Sequence, residues 1–265
     1  MVDSAAKNSL NIEAHLRAGA ALYTTGRFHA AHDPWEAAWL AVRGAHDTRA
    51  RGHMELTEDS PGPTDERSKA KYAEAISGRN NVQTDNQPDA NLFQGLVQTT
   101  AALYHAGTEN TEGATGLAKS AVDYLACVPD GHRAVELDPI HEFLTELAYD
   151  ISVATSPPPL RVAGREWTLS DLELPSAGPA AVALAEAEGF DESVIEQAIA
   201  FSWADLANSP TSPFADAIYA FVADSGAPRA VSYNRLRTRT ERRQAKIDDV
   251  AGLFEANSAS DSSEN

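Results

Sequence analysis

The sequence predicts an all-α fold: a helical bundle with a small additional helical unit and at most one β-hairpin. Two observations carry this. Apolar residues recur at helical spacing along most of the chain, and glycine or Pro-Gly signals such as Gly26, Gly107 and Pro129-Asp130-Gly131 close those stretches. Only residues 160–167 read as strand and turn.

Residues 10–25 place Ile12, Leu16, Ala20 and Tyr23 on one helical face, and Gly26 follows as a C-cap glycine. The next helix carries His32 and runs to about residue 43. Pro34 suits a first turn, so this helix is expected to start at His32 or Asp33, with Asp33 capping it or facing its dipole. Residues 44–90 change character. They are rich in Pro, Asn, Asp and Gly and poor in large apolar groups, so burial cannot offset their ordering entropy. They are expected to be a disordered insertion, with a short helix around residues 68–76.

Order is expected to return at Asn91. Residues 92–106 form a helix rich in Leu, Ala and Gln, and residues 110–126 a second, with Thr111 as its cap. A helix over residues 139–151 follows the Pro129-Asp130-Gly131 turn. Pro157-Pro158-Pro159 is a stiff linker, and residues 160–167 form a hairpin turning at Ala163-Gly164. Amphipathic segments then occupy residues 179–188, 191–207 and 213–223, a charged helix residues 230–254, and a polar, disordered tail the end. The expected organisation is a bundle at 8–155, a helical extension at 160–254 and a tail at 255–265.

The chain has 265 residues, is 43% apolar and carries a formal charge of -18, from 39 acidic and 21 basic residues. Only five of the basic residues are lysine. A surface this acidic suits a salt-rich cytoplasm, where screening suppresses self-repulsion, so a halophilic source is expected. It also argues against nucleic acid as a partner. The basic cluster Arg235, Arg237, Arg239, Arg242 and Arg243, with Glu241 inside it, reads as a solvated helix face rather than an RNA or phosphate site. Cys127 is the only cysteine, so neither an internal disulfide nor a cysteine-based zinc site is expected. Residues 1–11 lack the apolar core of a signal peptide, and no apolar run approaches the ~20 residues of a membrane span. A cytoplasmic, soluble protein with no membrane partner is expected, and a homo-oligomer is compatible with the sequence.

The stretch Phe28-His29-Ala30-Ala31-His32-Asp33-Pro34-Trp35-Glu36-Ala37-Ala38-Trp39 sets titratable groups among large aromatics. His32 and Glu36 are one turn apart on one face. In the later helix Gln94, Gln98 and His105 share a face, with small Ala101 between them. Antiparallel packing would bring the two polar lines together, bordered by Tyr23 and Tyr104. Three readings stay open. The cluster is a hydrogen-bond network fixing helix register. Alternatively His32, Glu36 and His105 hold a divalent metal ion, with Gln94 or Gln98 beside it. Alternatively His32 and Glu36 act as a general acid–base pair. Gln94, Gln98, Trp35, Trp39 and Tyr104 are the candidate binding residues around it. The first functional expectation is a binding or interaction module with this polar pocket; the second is a metal-dependent enzyme, most simply a hydrolase.

Other features are weaker. His29 is expected to be solvated at the helix entrance, His46 and His53 fall in the insertion, and His132 and His141 sit in a polar connection and a helix start. Cys127 is expected to be packed, and Trp167 and Trp203 to anchor the C-terminal core. Gly113-Ala114-Thr115-Gly116 lacks the lysine of a phosphate-binding loop.

These residues resemble a known family, domain of unknown function family 309. Its pattern is a glycine, aromatics, His-Glu, Trp-Glu and Trp, then a helix reading Leu-x-Gly-Leu-Ile-Gln with a later His, Gly-Asn and Gly-Ala. The matching stretches here run from Gly26 to Trp39 and from Phe93-Gln94-Gly95-Leu96-Val97-Gln98 to His105, continuing with Glu109-Asn110 and Gly113-Ala114. Asp33 stands where the family usually has Glu, and His29 where an aromatic or Glu is commoner. The family joins its motifs by a short loop where this chain has residues 44–90. The resemblance covers about residues 10–127, and the acidic C-terminal part looks like an extension of haloarchaeal relatives. It implies an all-helical fold and a shared pocket, and no particular reaction.

Overall fold

The computed structural model describes residues 10–52 and 87–261, with side chains at 10–44 and 87–250. The described residues are predominantly helical: α1 Ile12–Thr24, α2 Phe28–Gly52, α3 Gln87–Gly107, α4 Thr111–Leu125, α5 Asp138–Leu147, α6 Leu174–Ala187, α7 Glu192–Leu206, α8 Pro213–Ala223 and α9 Ala227–Asp261. Strands β1 Val135–Glu136, β2 Arg161–Val162 and β3 Arg165–Glu166 form one small sheet in that order. The hairpin turns at Ala163 (φ 54°) and Gly164 (φ 74°), as expected. β1 adds a third, antiparallel strand, with Val135 opposite Val162. At two residues it is too short to leave a period in the sequence.

The chain divides into two compact units, and both are discontinuous. One comprises Met1–Ile12 and Trp35–Arg165; the other comprises Glu13–Pro34 and Glu166–Asn265. Thus α1 and the first turns of α2 group with the C-terminal helices rather than with α3 and α4.

The first unit is built on the α3–α4 hairpin. Leu92, Phe93, Leu96, Ala102 and Leu103 of α3 are buried, as are Ala114, Ala118, Ala121 and Leu125 of α4. The small side chains on α4 let the backbones approach. At Gly95 a Cβ would meet Leu125 Cδ2 at 2.4 Å, so only glycine fits without repacking. The cap of α4 is Asn110, not Thr111: Asn110 Oδ1 accepts from Gly113 N at 3.0 Å. Helix α5 lays Ile140, Phe143, Leu144 and Leu147 inward. It ends at Leu147, short of the expected 151, and a separate 3₁₀ turn at Ile151–Thr155, capped by Asp150, follows.

In the second unit, α1 buries Leu16, Ala18, Ala20, Ala21, Leu22 and Tyr23, and Gly26 (φ 73°) ends it as expected. Helices α6 to α9 surround a ring cluster in which Phe190 stacks on Tyr233 at 4.6 Å and meets Phe221 edge-on at 5.9 Å. Arg229 is fully buried beside it. Its Nε donates to Phe221 O at 3.0 Å, and its other nitrogens reach Asp224 O and Glu188. Arg27 Nη1 approaches the same Glu188 at 2.9 Å, so one carboxylate joins α9 to the loop before α2.

Several expected boundaries move. Helix α2 begins at Phe28, which puts Pro34 inside it. Ala30 and Ala31 before the proline and Trp35 and Ala38 after it are all buried, and this packing outweighs the backbone bond that Pro34 cannot donate. Helix α6 begins at Leu174 and likewise runs through Pro179. Residues 44–52 and 87–90, expected in the insertion, are helical; the rest of that insertion and the helix expected at 68–76 lie outside the described residues. Helix α9 continues through 255–261, where a tail was expected, because no proline follows Pro228; residues 262–265 lie outside the described residues. Trp203 is 47% exposed and Cys127 is exposed, so neither is the core residue expected. Among the described residues no helix is long and apolar enough to cross a membrane.

Candidate functional site

His105 belongs to a corner. Its Nδ1 lies 3.0 Å from Asn110 Nδ2, and its carbonyl accepts from Asn110 N at 2.9 Å. Asn110 in turn caps α4, and a Cβ at Gly113 would meet Asn110 Nδ2 at 2.7 Å. Glu109 holds φ 60°, in the left-handed region. Residues 105–113 therefore set the geometry of the α3–α4 turn, with the histidine orienting the cap. Tyr104 is 47% exposed and meets the His105 ring edge-on at 5.8 Å.

His32 belongs to the unit of Glu13–Pro34 and Glu166–Asn265, whereas Glu36, Gln94, Gln98 and His105 belong to the other. His32 and Glu36 are half-buried and engaged with neighbours. Trp35 is fully buried and offers no face to a ligand. Gln98 is half-buried, one turn beyond Gln94. Among the described residues no three His, Cys, Asp or Glu side chains gather as a metal-binding group.

Two of the expected residues do meet. Trp39 and Gln94 line a cleft of about 400 Å³, together with Arg43, Gln87, Ala90, Asn91 and Tyr124. Trp39 and Arg43 are one turn apart on α2; Gln87, Ala90, Asn91 and Gln94 repeat at helical spacing along α3; Tyr124 comes from the end of α4. The Arg43 guanidinium lies 4.6 Å from the centroid of the Trp39 ring. Gln87 Nε2 donates to Asn91 Oδ1 at 2.9 Å, which orients both amides. Among the described residues no carboxylate lines the cleft, and its side chains are one cation and three amides beside two aromatic rings.

A buried ionic cluster fixes the α3 end of this cleft. Asp89, next to Ala90 in the first turn of α3, is 7% exposed. Arg133 grips it through Nε and Nη2, both at 2.5 Å, and His132 Nε2 approaches Oδ1 at 2.6 Å. Burial pushes the Asp89 pKa up, but the hydrogen bonds and charges of Arg133 and His132 together outweigh it and hold the carboxyl below its ordinary range. The partner loop carries left-handed backbone at Gly131 (φ 69°), Arg133 (φ 48°) and Ala134 (φ 54°), held in place by this bridge. Nothing local in the sequence points to the cluster, because Asp89 and its partners are far apart along the chain.

No protein-family model matches this chain, and no curated protein matches it either.

Proposed function

We propose that the chain is a helical binding module that holds a small, anionic, planar ligand in the cleft of Trp39, Arg43, Gln87, Asn91, Gln94 and Tyr124. The observation that carries this reading is the Arg43 guanidinium stacked on Trp39 among three amides, with no carboxylate among the described residues that line the cleft. An arginine fork pairs with carboxylate or phosphate oxygens in a fixed geometry. The amides supply donors and acceptors for a polar edge, and Trp39 and Tyr124 supply flat apolar surface. The resemblance to domain of unknown function family 309 supports the location, since its two motifs bring in Trp39 and Gln94.

The test is thermal unfolding of the purified chain against a panel of aromatic and aliphatic carboxylates and mononucleotides. The expected result is a midpoint raised by one class of these anions. Arg43→Ala and Gln94→Ala each weaken that ligand by about tenfold or more, the loss of one charge-assisted or buried hydrogen bond. Arg43 is exposed, so its loss leaves the fold intact. A shift that both variants leave unchanged places the ligand elsewhere and overturns the reading.

A further inference from the structure

A cationic surface runs along one face of α9 in the second unit. Arg235, Arg239, Arg242, Arg243 and Lys246 recur at helical spacing and, at ~1.5 Å per residue, form a row roughly 16 Å long. With Phe214, Val231, Asn234 and Thr238 they line a groove of about 740 Å³, and no carboxylate is among its described lining residues. Arg243 is tethered: its Nη2 lies 3.3 Å from Asp205 Oδ1 and its guanidinium 5.8 Å from the Phe201 ring. Among the described residues Arg235, Arg239, Arg242 and Lys246 have no ion-pair partner. Glu241, the acid within this run, turns instead to Arg237 at 3.8 Å, outside the groove. In a chain of charge -18, four uncompensated cations side by side are a strong local departure from the surrounding field.

Guanidinium forks match phosphate oxygens, and several in a row match a ligand with several phosphates. The groove is not uniformly charged. Val231, Asn234 and Thr238 lie toward the N-terminal end of the row with Phe214, offering apolar surface, an amide and a hydroxyl. Its volume is that of a small-molecule site. A long nucleic acid would leave the row and meet the repulsion of the acidic chain, whereas a compact ion meets only the local cations. We propose that this groove binds a compact organic polyphosphate of nucleoside-triphosphate size. Its phosphates lie along Arg239, Arg242 and Lys246, and its organic part lies against Val231 and Phe214. The site is separate from the first unit's cleft and does not depend on it.

The test is calorimetric titration of the full chain, with chelator present and at about 0.1 M salt, where the Debye length is ~10 Å. The probes are inorganic tripolyphosphate, a nucleoside triphosphate and a single-stranded RNA oligonucleotide. The expected result is saturable one-to-one binding of both small probes, tighter for the nucleotide. Arg239→Gln and Arg242→Gln each weaken it by about tenfold. Arg237→Gln, outside the groove, leaves it unchanged. These positions are exposed, so the variants fold. Absence of saturable tripolyphosphate binding, an equal loss in Arg237→Gln, or RNA bound more tightly than the nucleotide and weakened by the same groove variants would each overturn the proposal.

Discussion

Asp89 shows how much one side chain controls in the first unit. It stands at the start of the helix that supplies most of the cleft, and its carboxylate is the anchor of a strained loop. Because its pKa is lowered on folding, the bridge stabilises the protein above the unfolded value of 3.8, and that contribution is lost as pH falls through the lower folded value. Asp89→Asn keeps the size and removes the charge, leaving Arg133 partly buried without its counter-ion. The expected cost is about 3 kcal/mol at neutral pH in urea unfolding, shrinking as the pH is taken below the carboxylate range. An equal cost at acid pH would show that size rather than charge matters there. At this scale the sequence is legible only where the physics is local. Gly26 ends α1 because the signal lies within one turn. The cap of α4 was misplaced by one residue, since Asn110 and Thr111 are both good caps and only the approach of Gly113 chooses between them. The partners of Asp89 are brought together by the fold, and no window of sequence contains them. Arg43, Gln87 and Asn91 were missed for a related reason: they border the stretch whose composition reads as disordered.

Pro34 illustrates the same contest within a helix. Composition and spacing favour a helix that starts beside it, and tertiary burial on both sides overrides that preference. The helix then carries an unmade bond at Ala30 O. Pro34→Ala restores the donor, at the cost of a looser unfolded chain and a little lost packing. The expected outcome is a net gain of about 1–2 kcal/mol, since an interior proline costs ~3 kcal/mol and the unfolded-state term returns ~1 kcal/mol. Urea midpoints of the two proteins measure it. A destabilised variant would mean that the ring's packing matters more than the missing bond. The amphipathic helices were legible because a 3.6-residue period survives whatever surrounds it. Their ends were less so, because a helix stops where packing stops repaying it.

For the whole molecule, charge is the dominant property. With -18 spread along the chain, self-repulsion opposes compaction at low ionic strength. Raising salt from about 0.1 M to several molar shortens the Debye length from ~10 Å to below ~3 Å. The melting temperature should therefore climb across that range. A flat or falling curve would remove the halophilic reading. The all-α class was legible from the periodicity and turn signals, and the structure bears it out. The division into discontinuous units was not, because a helix's period records that it has a buried face and not which distant segment covers it. That division has a consequence in time. Helix α1 leaves the ribosome well before the residues it groups with, with Leu16, Ala18 and Leu22 awaiting burial. Those residues, including Trp167 beneath Arg17 and Glu188 beside Arg27, come far later in the chain, Glu188 being 161 residues after Arg27. The apolar face of α1 is thus made long before its cover, and it waits while the main segment of the first unit is synthesised.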